Sequence, residues 1–216
     1  MQYFRPSRVL RDAQPNPERQ ICVDAETEKT LIHHAQRGEP DAIRQLYRAY
    51  FDKVYGYIAY RVGRAQDAED LVSDTFLRAI EHLGTFEFRG DGSFAAWLFR
   101  IAINAVNTFY RPREPDYLSI DSVPVIESSD LPPDLALLQK EKFALLHHLI
   151  ATLSPRRQEI ITLRFFGGLR NRDIADTLGL DERTVASHLC RGLEDLQRKY
   201  EAYESPETKL NHYERP

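Results

Sequence analysis

Asp67, Glu69, Asp70, Asp74 and Glu81 crowd onto one short stretch of this chain. Paired carboxylates can share general acid and base work when their surroundings pull their pKa values apart. These acids, however, interleave with Ala68, Leu71, Val72, Phe76, Leu77 and Ile80, which recur at helical spacing. They are too many and too regular for an acid–base pair, and no nucleophile lies in a recognisable catalytic setting, so no catalytic residue is assigned. Carboxylates in a first turn suit the helix dipole, yet more acids cluster here than capping requires. A second helical stretch carries Arg100, Asn104, Asn107 and Arg111 at i, i+4, i+7 and i+11, on a different face from the apolar Phe94, Trp97, Leu98 and Ile101. An acidic surface followed by a basic, amide-rich one suits a protein partner on one side and a nucleic acid on the other.

Other chemistry is poorly supported. His33-His34 and His147-His148 are adjacent pairs that cannot both face one ion from a helix, and Cys22 and Cys190 lie far apart. No metal site and no cofactor are expected. The loop Gly84–Gly92 is glycine-rich but lacks the lysine and spacing of a phosphate-binding loop.

The elements that position these residues are all helical. The chain has 216 residues, 42% hydrophobic and 29% charged, which suits one or two ordinary globular domains. No apolar run approaches the roughly 18 residues of a membrane span. The basic N-terminus has no apolar core, so no secretory signal is expected. Two cysteines cannot build a disulfide framework, which favours a reducing cytoplasm. The net charge of −4 excludes a protein that coats DNA by bulk positive charge and requires local patches instead.

Residues 1–25, with Pro6, Pro15 and Pro17, read as a flexible arm. A helix over about 26–37 stops at Gly38, and Pro40 restarts the next. That helix buries Ile43, Leu46, Tyr47, Tyr50, Val54, Tyr55 and Ile58 and ends at Gly63. Asp67 opens the acidic helix, and Ser93 is the expected N-cap of the Trp97 helix. The register of Trp97 with Phe94 and Ile101 favours a core role for its ring. Residues 112–134 contain five prolines and an excess of acids, and read as a linker. Beyond it, Leu135, Leu137, Leu138, Phe143, Leu146 and Leu149 suit one helix, and Ser154-Pro155 starts another. Asn171 to Tyr200 reads helix, tight turn at Gly179, helix, with Asp181 as the second N-cap: a helix-turn-helix. Its outward face is Arg183, Thr184, Ser187, His188, Cys190 and Arg191. Arginine is the usual bidentate reader of guanine, and Cys190 there would make DNA binding sensitive to oxidation.

Both halves together resemble the extracytoplasmic-function (ECF) sigma factors, the small two-domain promoter-specificity subunits of bacterial RNA polymerase. The likeness runs through DAEDLVSDTFLRAI and FAAWLFRIAIN, then LSPRRQEIITLRFFGGL and DERTVASHL, and covers about two-thirds of the chain. It implies an all-α fold of two small helical domains, a region 2 bundle at 26–111 and a region 4 helix-turn-helix at 135–200, joined by the acidic proline-rich linker and ended by a tail at 201–216. By resemblance, Asp67, Glu69, Asp70, Asp74 and Phe76 dock the coiled coil of the polymerase's largest subunit, with the flap as a further contact. Phe86, Phe88, Arg89, Arg100, Asn104, Asn107 and Arg111 lie at the −10 element, and Arg183, Thr184, Ser187, His188, Cys190 and Arg191 at the −35 element.

The resemblance also implies promoter DNA and a separate anti-sigma factor as partners, a cytoplasmic location, no membrane insertion and no catalysis. Three departures from the family pattern bear on the −35 sequence: Ala186 replaces a basic residue, Arg170 a serine before the motif's first helix, and Asp173 a glutamate. With Arg170 in the serine's place, Asn171 is the expected cap. Competing readings are a stand-alone helix-turn-helix regulator, which leaves the acidic helix unexplained, and a sigma-like protein that titrates a partner.

Overall fold

The computed structural model describes residues 24–111 and 144–204. The arm, the linker at 112–134, the apolar residues Leu135, Leu137, Leu138 and Phe143, Cys22 and most of the tail lie outside them. Every regular element among the described residues is helical. Helix α1 is Ala25–Gln36, α2 is Pro40–Val62, α3 is Ala65–His82, and α4 is Ser93–Phe109. Residues 144–151 form α5, followed by α6 (Pro155–Phe165), α7 (Asn171–Leu178) and α8 (Glu182–Glu204).

The breaks follow local chemistry. Asp24 caps α1 by accepting from the backbone N–H groups of Glu26 and Thr27 at 3.1 and 3.0 Å. Pro40 occupies the first turn of α2, where no N–H is needed, and Gly63 ends that helix at φ 83°. The N-cap of α4 is Gly92 rather than Ser93; Ser93 is the first helical residue, and its Oγ accepts from Arg89 N at 3.1 Å. Glycine is required at 92, because its φ is +83° and a Cβ there would fall 1.9 Å from Asp173 Oδ1.

Helices α1–α4 close around Ile32, Leu46, Val54, Ile58, Val72, Leu98 and Val106. Two expectations shift here. Tyr47 is exposed, whereas Tyr57 and Tyr60 are among the most deeply buried side chains. The reason is that α2 is covered on two sides, by its own bundle and by the second helical unit. Leu77 and Ile80, 61% and 44% exposed, stay at the surface although they share the apolar spacing of α3. Leu77 lies about 140° round the helix from the buried Val72, outside the arc that α2 and α4 cover.

The second unit packs Leu146, Leu149, Ile150, Ile160, Ile161, Leu163, Ile174, Val185, Leu189 and Leu196. Asp181 Oδ1 accepts from Arg183 N at 2.8 Å, as expected of the α8 cap. Ser154 is in cap position but makes no side-chain cap bond. Arg170, not Asn171, is the cap residue of α7. Its backbone N–H donates to Asp173 Oδ2 at 3.1 Å, the returning half of a capping box, and its guanidinium holds both oxygens of the same carboxylate.

Candidate nucleic-acid interface

The acidic helix α3 presents Glu69 and Asp70 to solvent, with Asp67 and Asp74 half-buried beside them. Asp74 is engaged by Arg78 at 2.9 Å, an i,i+4 pair of small energetic weight at the surface. Phe76 does not share this surface. It is 8% exposed, and its ring packs on Tyr47 at 4.6 Å, so it supports the helix from beneath. A shallow apolar groove between α2 and α3, lined by Ile43, Tyr47, Phe76 and Ile80, runs along the same edge. Exposed carboxylates beside exposed apolar side chains are what a basic, amphipathic protein partner would need.

The α4 face is built as its spacing implies: Arg100, Asn104, Asn107 and Arg111 are all exposed. The preceding loop behaves differently from expectation. Phe86 and Phe88 are half-buried, and Phe86 packs on Phe94 and Trp97 at 5.5 and 4.9 Å. These rings anchor the loop to the bundle, leaving Arg89 exposed beside Glu87. Trp97 is half-buried: one side meets Phe86 and Phe94, and another lines an open cleft of about 740 Å³ that also receives Arg89, Arg100 and Arg172.

On α8, Arg183, Thr184, Ser187, Cys190 and Arg191 are exposed and His188 half-buried at the rim, while Val185, Leu189 and Leu196 turn inward. The outward row is thus available to a major groove. The Cys190 thiol donates to Glu194 at 3.3 Å, and that carboxylate pushes its pKa up. A raised pKa lowers the thiolate fraction on which oxidation depends.

Sequence reasoning did not find the seam between the two helical units. The stretch before α4 and the α4 face meet α7, while α2 meets α6. Arg100 donates to the backbone carbonyls of Asp176 and, at 3.3 Å, Thr177, at the C-terminal end of α7. A cation at a helix C-terminus is favoured by the dipole and satisfies otherwise unpartnered carbonyls. Arg170 reaches Asp91 at 2.5 Å, and this hydrogen bond holds the Asp91 carboxyl below its ordinary pKa. Asp173 and then Asp91 raise the Arg170 pKa further. Along α2, Tyr57 donates to Glu159 at 2.6 Å, and Arg61 pairs with the other oxygen of that carboxylate. Tyr60 stacks on Phe166 with ring centroids 4.2 Å apart. No spacing rule could have joined residues so distant in the chain. The one available signal was Arg170 itself, a long cation in a cap position that favours small polar residues.

Two family models match the chain: Sigma-70 region 2 over residues 46–114 and Sigma-70, region 4 over residues 143–196. The ECF RNA polymerase sigma factor BldN of Streptomyces coelicolor is 36% identical over 78% of this chain, which spans 64% of that relative's length. The RNA polymerase sigma-H factor of Pseudomonas aeruginosa is 33% identical over 80% of this chain and 93% of its own length. Among solved structures, CnrH in complex with the cytosolic domain of CnrY superposes with a TM-score of 0.62 at 22% identity, covering 82% of this chain and 99% of that one. The sigma factor RpoE of Bartonella quintana, solved with the anti-sigma factor NepR, gives 0.56 at 24% identity, covering 72% and 94%; at these identities the likeness is one of fold. With the acidic helix, the amide-rich α4 face and the helix-turn-helix in the order these models require, the chain belongs to the ECF sigma factors of the sigma-70 family.

Proposed function

We propose that this sigma factor binds bacterial core RNA polymerase through the exposed carboxylates of α3 and places α4 and α8 on the two promoter elements. Glu69 and Asp70, flanked by Asp67 and Asp74, meet the coiled coil of the polymerase's largest subunit, and Phe76 holds their helix in position. Arg100, Asn104, Asn107 and Arg111, with Arg89 from the loop, take the −10 strand. Arg and amide side chains hold its phosphates and an unstacked base, offsetting an unstacking cost of roughly a few kcal/mol. Arg183, Thr184, Ser187 and Arg191 read the −35 element in the major groove. The domain responsible for the −10 element is assigned to 26–111 and that for the −35 element to 135–200, with 112–134 as their linker.

The observation that carries this reading is the combination, in one chain, of two separate Arg-rich faces and an acidic helix that faces neither. A stand-alone regulator would use α8 and leave α3 without a task. No helix among the described residues is long and apolar enough to cross a membrane. A location with the polymerase in the cytoplasm follows from the proposed role, as does control by a separate anti-sigma factor.

The test is in vitro transcription with sigma-free core polymerase, with and without the chain, on a library of promoter-like templates. Discrete start sites that depend on the chain are expected. Failure both to initiate and to bind core in gel filtration would reject the reading.

A further inference from the structure

We propose that the chain's own N-terminal arm, through residues 3–11, docks across the apolar groove between α2 and α3 and covers the acidic face of α3 until core polymerase displaces it. The displacement rests on the reading of α3 as the polymerase-docking surface; the docking stands on the groove and the arm. Every side chain lining the groove is apolar or aromatic, Ile43, Tyr47, Phe76 and Ile80 among them. Its enclosed volume of about 30 Å³ is far below the roughly 300 Å³ of a small-ligand pocket, so its occupant is a chain segment laid across it. Of the six large apolar or aromatic side chains exposed among the described residues, Tyr47, Leu77 and Ile80 stand at this edge. Exposed apolar side chains gathered in one place mark an interaction surface.

Charge selects the arm as that occupant. Helix α3 carries Asp67, Glu69, Asp70, Asp74 and Glu81 against Arg78, and among the described residues only Asp74 of these acids is ion-paired. Leu77 lies three residues from both Asp74 and Ile80 and four from Glu81, so the exposed arc is apolar at its centre and acidic at its margin. Residues 1–23 carry Arg5, Arg8, Arg11 and Arg19 against Asp12 and Glu18. The run from Tyr3 to Arg11 alternates the pairs Tyr3-Phe4 and Val9-Leu10 with Arg5, Arg8 and Arg11, which complements that arc in both respects.

The arm also enters the bundle beside the groove. It runs into Asp24, the cap of α1, and in the next turn Glu28 accepts from Tyr50, which is one helical turn along α2 from Tyr47. Residues 12–23 span up to roughly 40 Å when extended. One turn along each helix and one step between helices needs only about 20 Å. A tether of this length gives an effective concentration on the order of a millimolar, far above that of a second copy in a dilute solution. Docked there, the arm lies over Glu69 and Asp70, so it and the polymerase exclude each other.

The experiment compares the full-length wild type with Arg5→Gln/Arg8→Gln/Arg11→Gln. Each is made with benzoylphenylalanine in place of Phe4 for photo-cross-linking, and with Phe4 retained for affinity to core polymerase. Cross-links from position 4 to Tyr47, Leu77 or Ile80 are expected in the wild type, at a yield independent of chain concentration. They should disappear in the triple variant and when core polymerase is added. The triple variant should bind core about tenfold more tightly, the factor for an arm docked about nine-tenths of the time. Cross-links elsewhere, or none, would overturn the docking. A yield that rises with chain concentration would make the occupant a second copy and overturn docking within one chain. Groove cross-links with equal core affinity for both chains would overturn the competition. If neither chain binds core, the polymerase reading of α3 and the displacement fail together, while the cross-links still decide the docking.

Discussion

The outward faces of α4 and α8 are made of the same kinds of side chain, arginine with amide or hydroxyl neighbours at helical spacing, yet their surroundings differ. Among the described residues the α8 row is exposed, with His188 half-buried at its rim. The α4 row opens into a cleft whose far wall is α7, and its first arginine is already bonded there. One difference in packing thus separates two faces of similar composition. A face proposed to read duplex can stay open, since duplex of any sequence meets it weakly.

The comparison can be broken most strongly at α8. Arg183→Ala/Arg191→Ala should lower promoter-specific transcription by about ten- to a hundredfold, the worth of one or two base or phosphate contacts, without changing the radius of gyration of the free chain. Footprinting that still showed −35 protection would mean that α8 is not the reader. Next in size is Arg170→Ala. It strips the buried Asp173 of both guanidinium contacts, and a buried acceptor left short of partners costs about 1–3 kcal/mol. Thermal unfolding should show the loss, and Asp91→Asn, which leaves the cap in place, should show little.

A subtler effect is expected on the α1–α2 side of the bundle. Glu28 is 4% exposed and accepts from Tyr50, and burial raises its pKa above the ordinary carboxylate value. The folded state therefore holds its proton to higher pH than the unfolded chain. Stability from this group is present below the unfolded pKa and is lost as pH rises through the folded one. In Glu28→Gln that slope should vanish, so the melting temperatures of variant and wild type should diverge as pH rises from about 4 to 7. The smallest change is Tyr60→Phe. The Tyr60 hydroxyl is buried without a hydrogen-bond partner among the described residues, so removing it should leave stability equal or raise it by up to about 1 kcal/mol, with the Phe166 stack retained. A clear loss by chemical denaturation would show that the hydroxyl has a partner after all.

Much of this was legible in the residues. Apolar spacing fixed α2, α3, α4 and the helix-turn-helix, and Pro40, Gly63 and Asp181 marked their ends, because caps and breakers act within a turn of the chain. The outward row of α8 was legible for the same reason: helical spacing puts Val185 and Leu189 on one face and leaves Arg183 and Ser187 outside. What failed was every judgement that depended on the width of a buried face. Leu77 and Ile80 share the pattern of α3 but lie beyond its contact arc, Phe76 is core rather than docking surface, and Phe86 and Phe88 anchor their loop to the bundle. By itself the sequence determined the helices, their order and the chemistry of each face, since these follow from periodicity and local hydrogen bonding. Only the tertiary structure decided what stands beside each face: the bonds of Arg100 to α7, of Arg170 to Asp91 and of Glu159 to Tyr57 and Arg61 join residues tens of positions apart, and no local rule reports a contact made across the fold.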